Sequence, residues 1–104
     1  MARLWAGPAL LMGGLALMGW ACSRPPAEAS GQEIYEQVCA NCHGVDLEGG
    51  LGPAIGAGSN SAEQDESFLT LTVTRGRGRM PSFGATLSDD QVQRLVEYVR
   101  SRQR

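Results

Sequence analysis

The hydrophobic pattern divides the chain into an apolar leader, a short polar segment and a longer part with helical periodicity. Arg3 is followed by a charge-free and mostly apolar run of 19 residues, from Leu4 to Cys22. An apolar run behind a positive N-terminus is typical of an export signal, and this run is also long enough to span a bilayer. We therefore expect an export signal or membrane anchor over residues 1–22, a flexible linker over 23–29 and a folded domain over 30–104.

Two segments of the folded part have the capping and periodicity of amphipathic helices. Ser30 precedes Glu33, and Ser88 precedes Gln91, in the Ser-x-x-Glu/Gln pattern that caps a helix N-terminus. Apolar residues follow each cap at helical spacing. They are Ile34, Tyr35 and Val38 in the first segment, and Val92, Leu95, Val96 and Val99 in the second.

The secondary structure of the middle of the chain, residues 62–79, has weaker sequence signals. Residues 62–74 favour a helix because Ala62 is followed by a run of helix-forming polar residues, although Leu69, Leu71 and Val73 also fit the alternation of a strand. Residues 75–79 are then expected to form a loop, and glycines mark the other connections. The elements together predict a small all-α domain.

The length and net charge of the chain exclude some classes of protein. The chain has 104 residues, and a folded part of about 80 residues is marginal without a disulfide, metal or cofactor. Its formal net charge is −2, and no segment is strongly basic. This excludes a nucleic-acid-binding protein that depends on a basic surface.

The candidate chemistry lies in Cys39-Ala40-Asn41-Cys42-His43. This C-x-x-C-H spacing is that of covalent haem attachment: the two thiols add to the porphyrin vinyl groups, and the adjacent His43 becomes the proximal iron ligand. A zinc site needs four ligands, but the chain beyond the leader has no other Cys or His. A dithiol redox motif needs a neighbouring βαβ pattern, which is absent here.

Counting residues also suggests a second iron ligand. Beyond the leader the chain contains one His, His43, and one Met, Met80. A lone Met is commonly a core residue, but Met80 stands beside Pro81 in a polar loop, which favours a ligand. Ligation by His43 and Met80 raises the reduction potential and leaves no open position on the iron, which favours electron transfer over catalysis.

Cys22 has a separate interpretation. Ala21-Cys22-Ser23 resembles the processing site of bacterial lipoproteins, at which the Cys is lipidated, although Gly19 stands where such sites usually carry Leu. Lipidation of Cys22, an uncleaved anchor, and cleavage with release remain alternatives. Each of them places the domain outside the cytoplasm.

Over residues 30 to 102 the chain resembles the class I cytochromes c, a family of monohaem electron carriers. The motifs occur in the family's order: Gly31 and Tyr35, the CANCH segment at 39–43, Gly52-Pro53, Met80-Pro81, and residues 95–99 on the last helix. The resemblance implies three to four helices and Gly-rich loops wrapped around one covalently bound haem c.

The same resemblance implies specific contacts. The first and last helices cross, with Gly31 permitting close approach and Tyr35 meeting Tyr98. The Pro53 carbonyl accepts a hydrogen bond from the ring N–H of His43, although Pro53 as a simple turn residue remains an alternative.

The expected function is that of a single-electron carrier with a redox protein as donor and another as acceptor, tethered to the membrane by its N-terminal lipid or anchor. No nucleic acid or small-molecule substrate is expected. One alternative is a haem c subunit of a larger dehydrogenase or terminal oxidase, and another is a haem enzyme or gas sensor. Arg75, Arg77 and Arg79 are compatible with binding haem propionates, with docking an acidic partner, or with a solvated loop.

Overall fold

The computed structural model describes residues 24–104, which form a helical domain. The first helical stretch of the described residues is continuous and is made of α1 (Gly31–Ile34), a π-helical turn (Tyr35–Cys39) and α2 (Ala40–His43). A 3₁₀ turn (Asn60–Glu63), α3 (Glu66–Arg75) and α4 (Asp89–Gln103) follow. Within residues 24–104 the only β pairing is an isolated bridge between Arg77 and Met80, so the predicted all-α class is confirmed.

The first helical stretch begins at the predicted cap. The Ser30 hydroxyl oxygen accepts a hydrogen bond from the Glu33 amide at 3.1 Å, and the hydroxyl donates to the Glu33 carboxylate at 3.2 Å. Further along, the Ala40 amide donates to the Tyr35 carbonyl, five residues earlier, which defines the π-helical turn. A π turn inside an α-helix changes the facing of the residues that follow, and such turns are frequent at functional sites.

The last helix, α4, follows the prediction closely. Ser88 and Gln91 form a reciprocal capping box, and the helix continues to Gln103. Its buried face carries the predicted apolar stripe, whose members are Val92, Leu95, Val96 and Val99. The same core includes Ile34 and Tyr35 from the first helical stretch and Leu69 from α3.

The first stretch and α4 cross at Gly31. A Cβ atom on Gly31 would overlap the Arg94 carbonyl oxygen and lie 2.9 Å from the Tyr98 Cβ, so only glycine permits this approach. Beside the crossing, the rings of Tyr35 and Tyr98 lie 5.5 Å apart between centroids and are inclined by 51°. The crossing implied by the resemblance is present.

The middle helix differs from the prediction at its start. The Ser59 hydroxyl accepts from the Ala62 amide at 3.3 Å and caps a separate 3₁₀ turn. Asp65 then has extended backbone angles and begins α3, so the α-helix runs from Glu66 to Arg75 and not from residue 62. The helical interpretation of the segment is confirmed, and the strand alternative is wrong.

The segment before the first helix also differs from expectation. Residues 25–29, here called the N-terminal strap, lie along α4. The Gln91 side chain is 4% exposed, and its amide nitrogen donates to the carbonyls of Pro25 at 3.2 Å and Pro26 at 3.0 Å. Its amide oxygen accepts from the Ser88 amide at 2.9 Å, so one side chain joins the capping box to the strap.

Arg94, one turn further along α4, holds the other half of the strap. Its guanidinium donates to the Ala29 carbonyl at 2.6 Å and to the Ala27 carbonyl at 2.7 Å. Ala29 itself is 3% exposed and belongs to the core. Residues 25–29, within the linker predicted over residues 23–29, thus have backbone carbonyls that accept hydrogen bonds from two side chains of α4.

The predicted export signal or anchor, residues 1–22, lies outside the described residues, as does Cys22. Between residues 24 and 104, no helix has the length and apolar character needed to cross a membrane.

Candidate functional site

The two cysteines of the CANCH segment lie on successive parts of the first helical stretch. Cys39 closes the π-helical turn and is 8% exposed, whereas Cys42 lies in α2 and is exposed. They are not joined by a disulfide. Burial, and to a smaller degree the neighbouring Cys42, raises the pKa of the Cys39 thiol to about 12, so this thiol is protonated at neutral pH.

His43 ends α2 with its ring buried and oriented by a backbone carbonyl. The His43 Nδ1 lies 2.8 Å from the Pro53 carbonyl oxygen, and the residue is 8% exposed. Because a carbonyl can only accept, Nδ1 carries the hydrogen and the neutral ring has its lone pair on Nε2. A backbone partner of this kind is what orients a metal-binding imidazole and raises its basicity.

The Gly-rich loop after α2 packs directly on this histidine. The Gly52 amide donates to the Cys42 carbonyl at 2.7 Å, and the Gly49 amide donates to the His43 carbonyl at 2.7 Å. A Cβ atom on Gly52 would lie 3.2 Å from the His43 Cε1, which is tighter than an ordinary contact. The close packing of Gly52 on the ring therefore accompanies the approach of the Pro53 carbonyl to His43 Nδ1.

Tyr35 supports the same turn from the other side. Its hydroxyl donates to the Gly44 carbonyl at 2.6 Å, immediately after His43, and the residue is fully buried. Burial, with smaller contributions led by Cys39, raises the pKa of the Tyr35 hydroxyl, so the donor remains protonated. Neither this bond nor the Gly52 contact is predictable from the sequence, because glycine-rich composition does not show which glycine touches a side chain.

Met80 lies on the loop after α3 and is partly buried. Its amide donates to the Arg77 carbonyl at 2.9 Å, and its carbonyl accepts from the Arg77 amide at 3.1 Å, which closes a tight turn. The loop is attached to the end of α3, since the Phe83 amide donates to the Val73 carbonyl at 2.9 Å. No hydrogen bond in the described part of the chain joins this loop to the Cys39–His43 segment.

These residues fit a covalently attached haem. Two thiols and an imidazole with a fixed Nδ1–H lie within one helical stretch, and the Met80 thioether provides a neutral sulfur on another loop. Apolar side chains that are only partly buried lie beside the core and provide surface for a large apolar ring: Ile55, Phe68, Val73 and Phe83. Among residues 24–104, no group of three or more His, Cys, Asp or Glu is arranged to hold a metal ion by itself, so the zinc interpretation has no ligand set there.

Comparison with known proteins shows the family of the chain. Residues 26–99 match the family model described as cytochrome C oxidase, cbb3-type, subunit III. The chain is 37% identical over 102 residues to cytochrome c55X of Pseudomonas aeruginosa, covering 90% of this chain and 84% of that protein. It is 32% identical over 81 residues to cytochrome c6 of Diacronema lutheri, covering 71% of this chain and 94% of that protein.

A solved structure shows the same fold. Cytochrome cL from Hyphomicrobium denitrificans superposes with a TM-score of 0.65 at 30% identity, covering 71% of this chain and 46% of that chain. The family model begins at residue 26, so it includes most of the N-terminal strap. This chain therefore belongs to the cytochrome c family, as a small electron-transfer domain with one covalently bound haem c rather than an enzyme.

Proposed function

We propose that this protein carries single electrons through a haem attached to Cys39 and Cys42, with His43 and Met80 as the two axial iron ligands. The observation that carries the proposal is the His43–Pro53 hydrogen bond of 2.8 Å beside the two cysteines. It leaves the lone pair of Nε2 for a metal, as a proximal ligand requires. The bound haem supplies a one-electron Fe(III)/Fe(II) couple.

The protein residues determine how that couple behaves. The Pro53 carbonyl fixes the tautomer and orientation of His43, and Gly52 lets the loop approach closely enough to do so. Met80 contributes a neutral thioether, which favours the reduced state and raises the potential. If His43 and Met80 both bound the iron, a haem held here would have no position open to oxygen or peroxide, which supports electron transfer as the function.

Replacing Met80 tests this ligand assignment. Met80→Ala should leave the haem covalently attached, remove the ligand-field absorption of a sulfur-ligated iron and lower the midpoint potential. Leu51→Ala is the matched control, because Leu51 is 91% exposed and its truncation removes no ligand. Unchanged ligand-field bands in Met80→Ala would exclude Met80 as a ligand.

The proposed location is the exported face of a bacterial membrane. The support is the apolar run of residues 4–22 behind Arg3, together with the lipoprotein-like sequence around Cys22. Mass spectrometry of the mature N-terminus tests this. A diacylglycerol-modified Cys22 supports a lipid tether, an intact residue 1 supports an uncleaved anchor, and an unmodified new N-terminus means release.

A second candidate function is that of a haem subunit in a larger oxidoreductase. The name of the matching family model, which refers to a subunit of a cytochrome oxidase, favours it. The two candidates differ in what is purified from native membranes under mild detergent. A stable large complex supports the subunit, whereas a separate small cytochrome supports the carrier.

A further inference from the structure

Three arginines are exposed on the segment that carries Met80. Arg75 is the last residue of α3, and Arg77 and Arg79 belong to the turn before Met80. The chain as a whole is acidic, with a formal net charge of −2. This segment therefore has a positive charge that is opposite in sign to that of the molecule.

The turn holds one of these charges in a fixed place. The Arg77 guanidinium carbon lies 4.9 Å from the centroid of the Phe68 ring, in a cation–π contact. Arg77 is also paired with Met80 through both backbone hydrogen bonds of the turn. Its charge is thus positioned with respect to both α3 and the Met80 loop.

The charges of Arg75 and Arg79 are not compensated within the domain. Neither side chain makes a hydrogen bond or ion pair with another residue between 24 and 104. The arginines of α4 differ, because each one is bound to oxygen atoms of the domain. Arg94 donates to the carbonyls of Ala27 and Ala29, and Arg100 donates to those of Ala62 and Gln64. Arg102 forms an ion pair with the Asp46 carboxylate at 3.6 Å.

We propose that Arg75, Arg77 and Arg79, here called the arginine patch, form the docking surface for the acidic face of a one-electron redox protein. The inference rests on the proposed function, because it is Met80 as a ligand that places the patch beside the electron-transfer site. Uncompensated charges of one sign on a molecule of opposite net charge orient it during encounter. Such charges act mainly on the association rate and lose their effect as salt rises.

A small anionic oxidant tests the sign of the local charge. The reduced holoprotein gives one electron to hexacyanoferrate(III), which becomes hexacyanoferrate(II), and stopped-flow absorbance follows the reaction. The net charge of the protein predicts that this trianion is repelled and reacts faster as salt is added. The arginine patch predicts the reverse, namely a fast reaction at low salt that slows as salt is added.

Charge-removing variants locate the effect. One positive side chain about 10 Å from the bound trianion raises the local concentration of the trianion about fivefold at 0.01 M salt, where the screening length is about 30 Å. Arg75→Gln with Arg79→Gln should therefore slow the reaction about twentyfold at low salt and less than about twofold at 1 M salt. Arg104→Gln removes the same charge from the C-terminal end of α4 and is the control, with a change below about twofold at either salt concentration.

Binding of the anion is a second measurement that requires no electron transfer. Hexacyanochromate(III) is paramagnetic and has the same charge, so it broadens the amide signals of the residues it approaches. In the reduced holoprotein the broadening should centre on residues 75–80 and disappear in the double variant. Broadening spread evenly over the surface would overturn the proposal.

Other outcomes overturn it in distinct ways. A lower midpoint potential in the double variant, with an unchanged dependence of rate on salt, assigns the arginines to haem propionates. Patch-dependent binding to phosphatidylglycerol vesicles, without selective anion-dependent rates, assigns them to a lipid surface. A protein that isolates without haem contradicts the proposed function itself, whereas a haem protein with no charge-dependent reactivity contradicts only the patch.

Discussion

The N-terminal strap gives the sharpest prediction about stability, because a single side chain holds much of it. Arg94→Ala removes the two hydrogen bonds from the guanidinium to the carbonyls of Ala27 and Ala29, at 2.7 and 2.6 Å. Buried hydrogen bonds to charged groups contribute about 1.5–3 kcal/mol each. Arg94 is half-buried, so we expect about 1 kcal/mol per bond and a total loss of about 2 kcal/mol.

Urea unfolding of the holoprotein measures this loss. A domain of this size unfolds with a slope of about 1 kcal/mol per molar urea, so the midpoint should fall by about 2 M. Gln93→Ala is the matched control, since Gln93 is an exposed neighbour whose side-chain hydrogen bond goes to Glu97 on the same helix, at 3.3 Å, and not to the strap. We expect its midpoint to change by less than about 0.5 M.

A double-mutant cycle separates the strap from other roles of Arg94. Deleting residues 24–28 removes the Ala27 carbonyl but keeps that of Ala29, so Arg94→Ala should then cost about 1 kcal/mol, half of its cost in the intact strap. If Arg94→Ala is no more destabilising than Gln93→Ala, or costs as much in the deleted chain, then the strap does not contribute to stability and a flexible linker is the better description.

Three further predictions concern the helix crossing, the support of the site and the cofactor. Gly31→Ala should destabilise the holoprotein by about 1–3 kcal/mol, because the added Cβ has no space between the Arg94 carbonyl and Tyr98; urea unfolding equal to that of the native protein would contradict this. Tyr35→Phe should cost about 1 kcal/mol at pH 8 through loss of the bond to the Gly44 carbonyl. Burial raises the pKa of Tyr35 in the folded state above about 10, its value in the unfolded chain. The free energy of unfolding of the native protein should therefore fall above pH 10, and that of Tyr35→Phe should fall less. Parallel pH profiles of the two proteins would exclude this cause. Haem-free protein should be largely unfolded by circular dichroism, because the folded part is too small for an independent core, and a cooperative melt with native helix content would refute this.

Much of the fold follows from local sequence signals. Ser88 and Gln91 define the start of α4, and the apolar stripe after them is the face that the structure buries. The start of α3 was predicted too early. Residues 62–66 have helix-forming composition, but Ser59 and Asp65 cap two separate elements, and composition does not show where the first one stops.

The strap and the π-helical turn were not predictable in the same way. The strap is held by its backbone carbonyls, which every residue has, so residues 25–29 carry no side-chain pattern that indicates docking. The π turn depends on the Ala40 amide reaching the Tyr35 carbonyl, and no residue type marks that choice. The strap depends on Gln91 and Arg94 of α4, which lie more than sixty residues away in the sequence.

The site was predicted by three kinds of reasoning. The roles of Cys39, Cys42 and His43 follow from the spacing of five consecutive residues, and Met80 follows from counting the ligands available in the chain. The Pro53 contact came only from the family resemblance, since nothing in the sequence shows that a carbonyl ten residues away reaches the His43 ring. The ligand and attachment roles of these residues remain predictions.

The most direct test of the whole account is the mass of the peptide that contains Cys39, Cys42 and His43, taken from protein produced in a host that matures c-type cytochromes. Both thiols should be consumed and one haem should be bound through two thioether bonds, with a reduced-minus-oxidised spectrum typical of a c-type cytochrome. A colourless protein whose peptide has the unmodified mass and two free thiols would contradict the account.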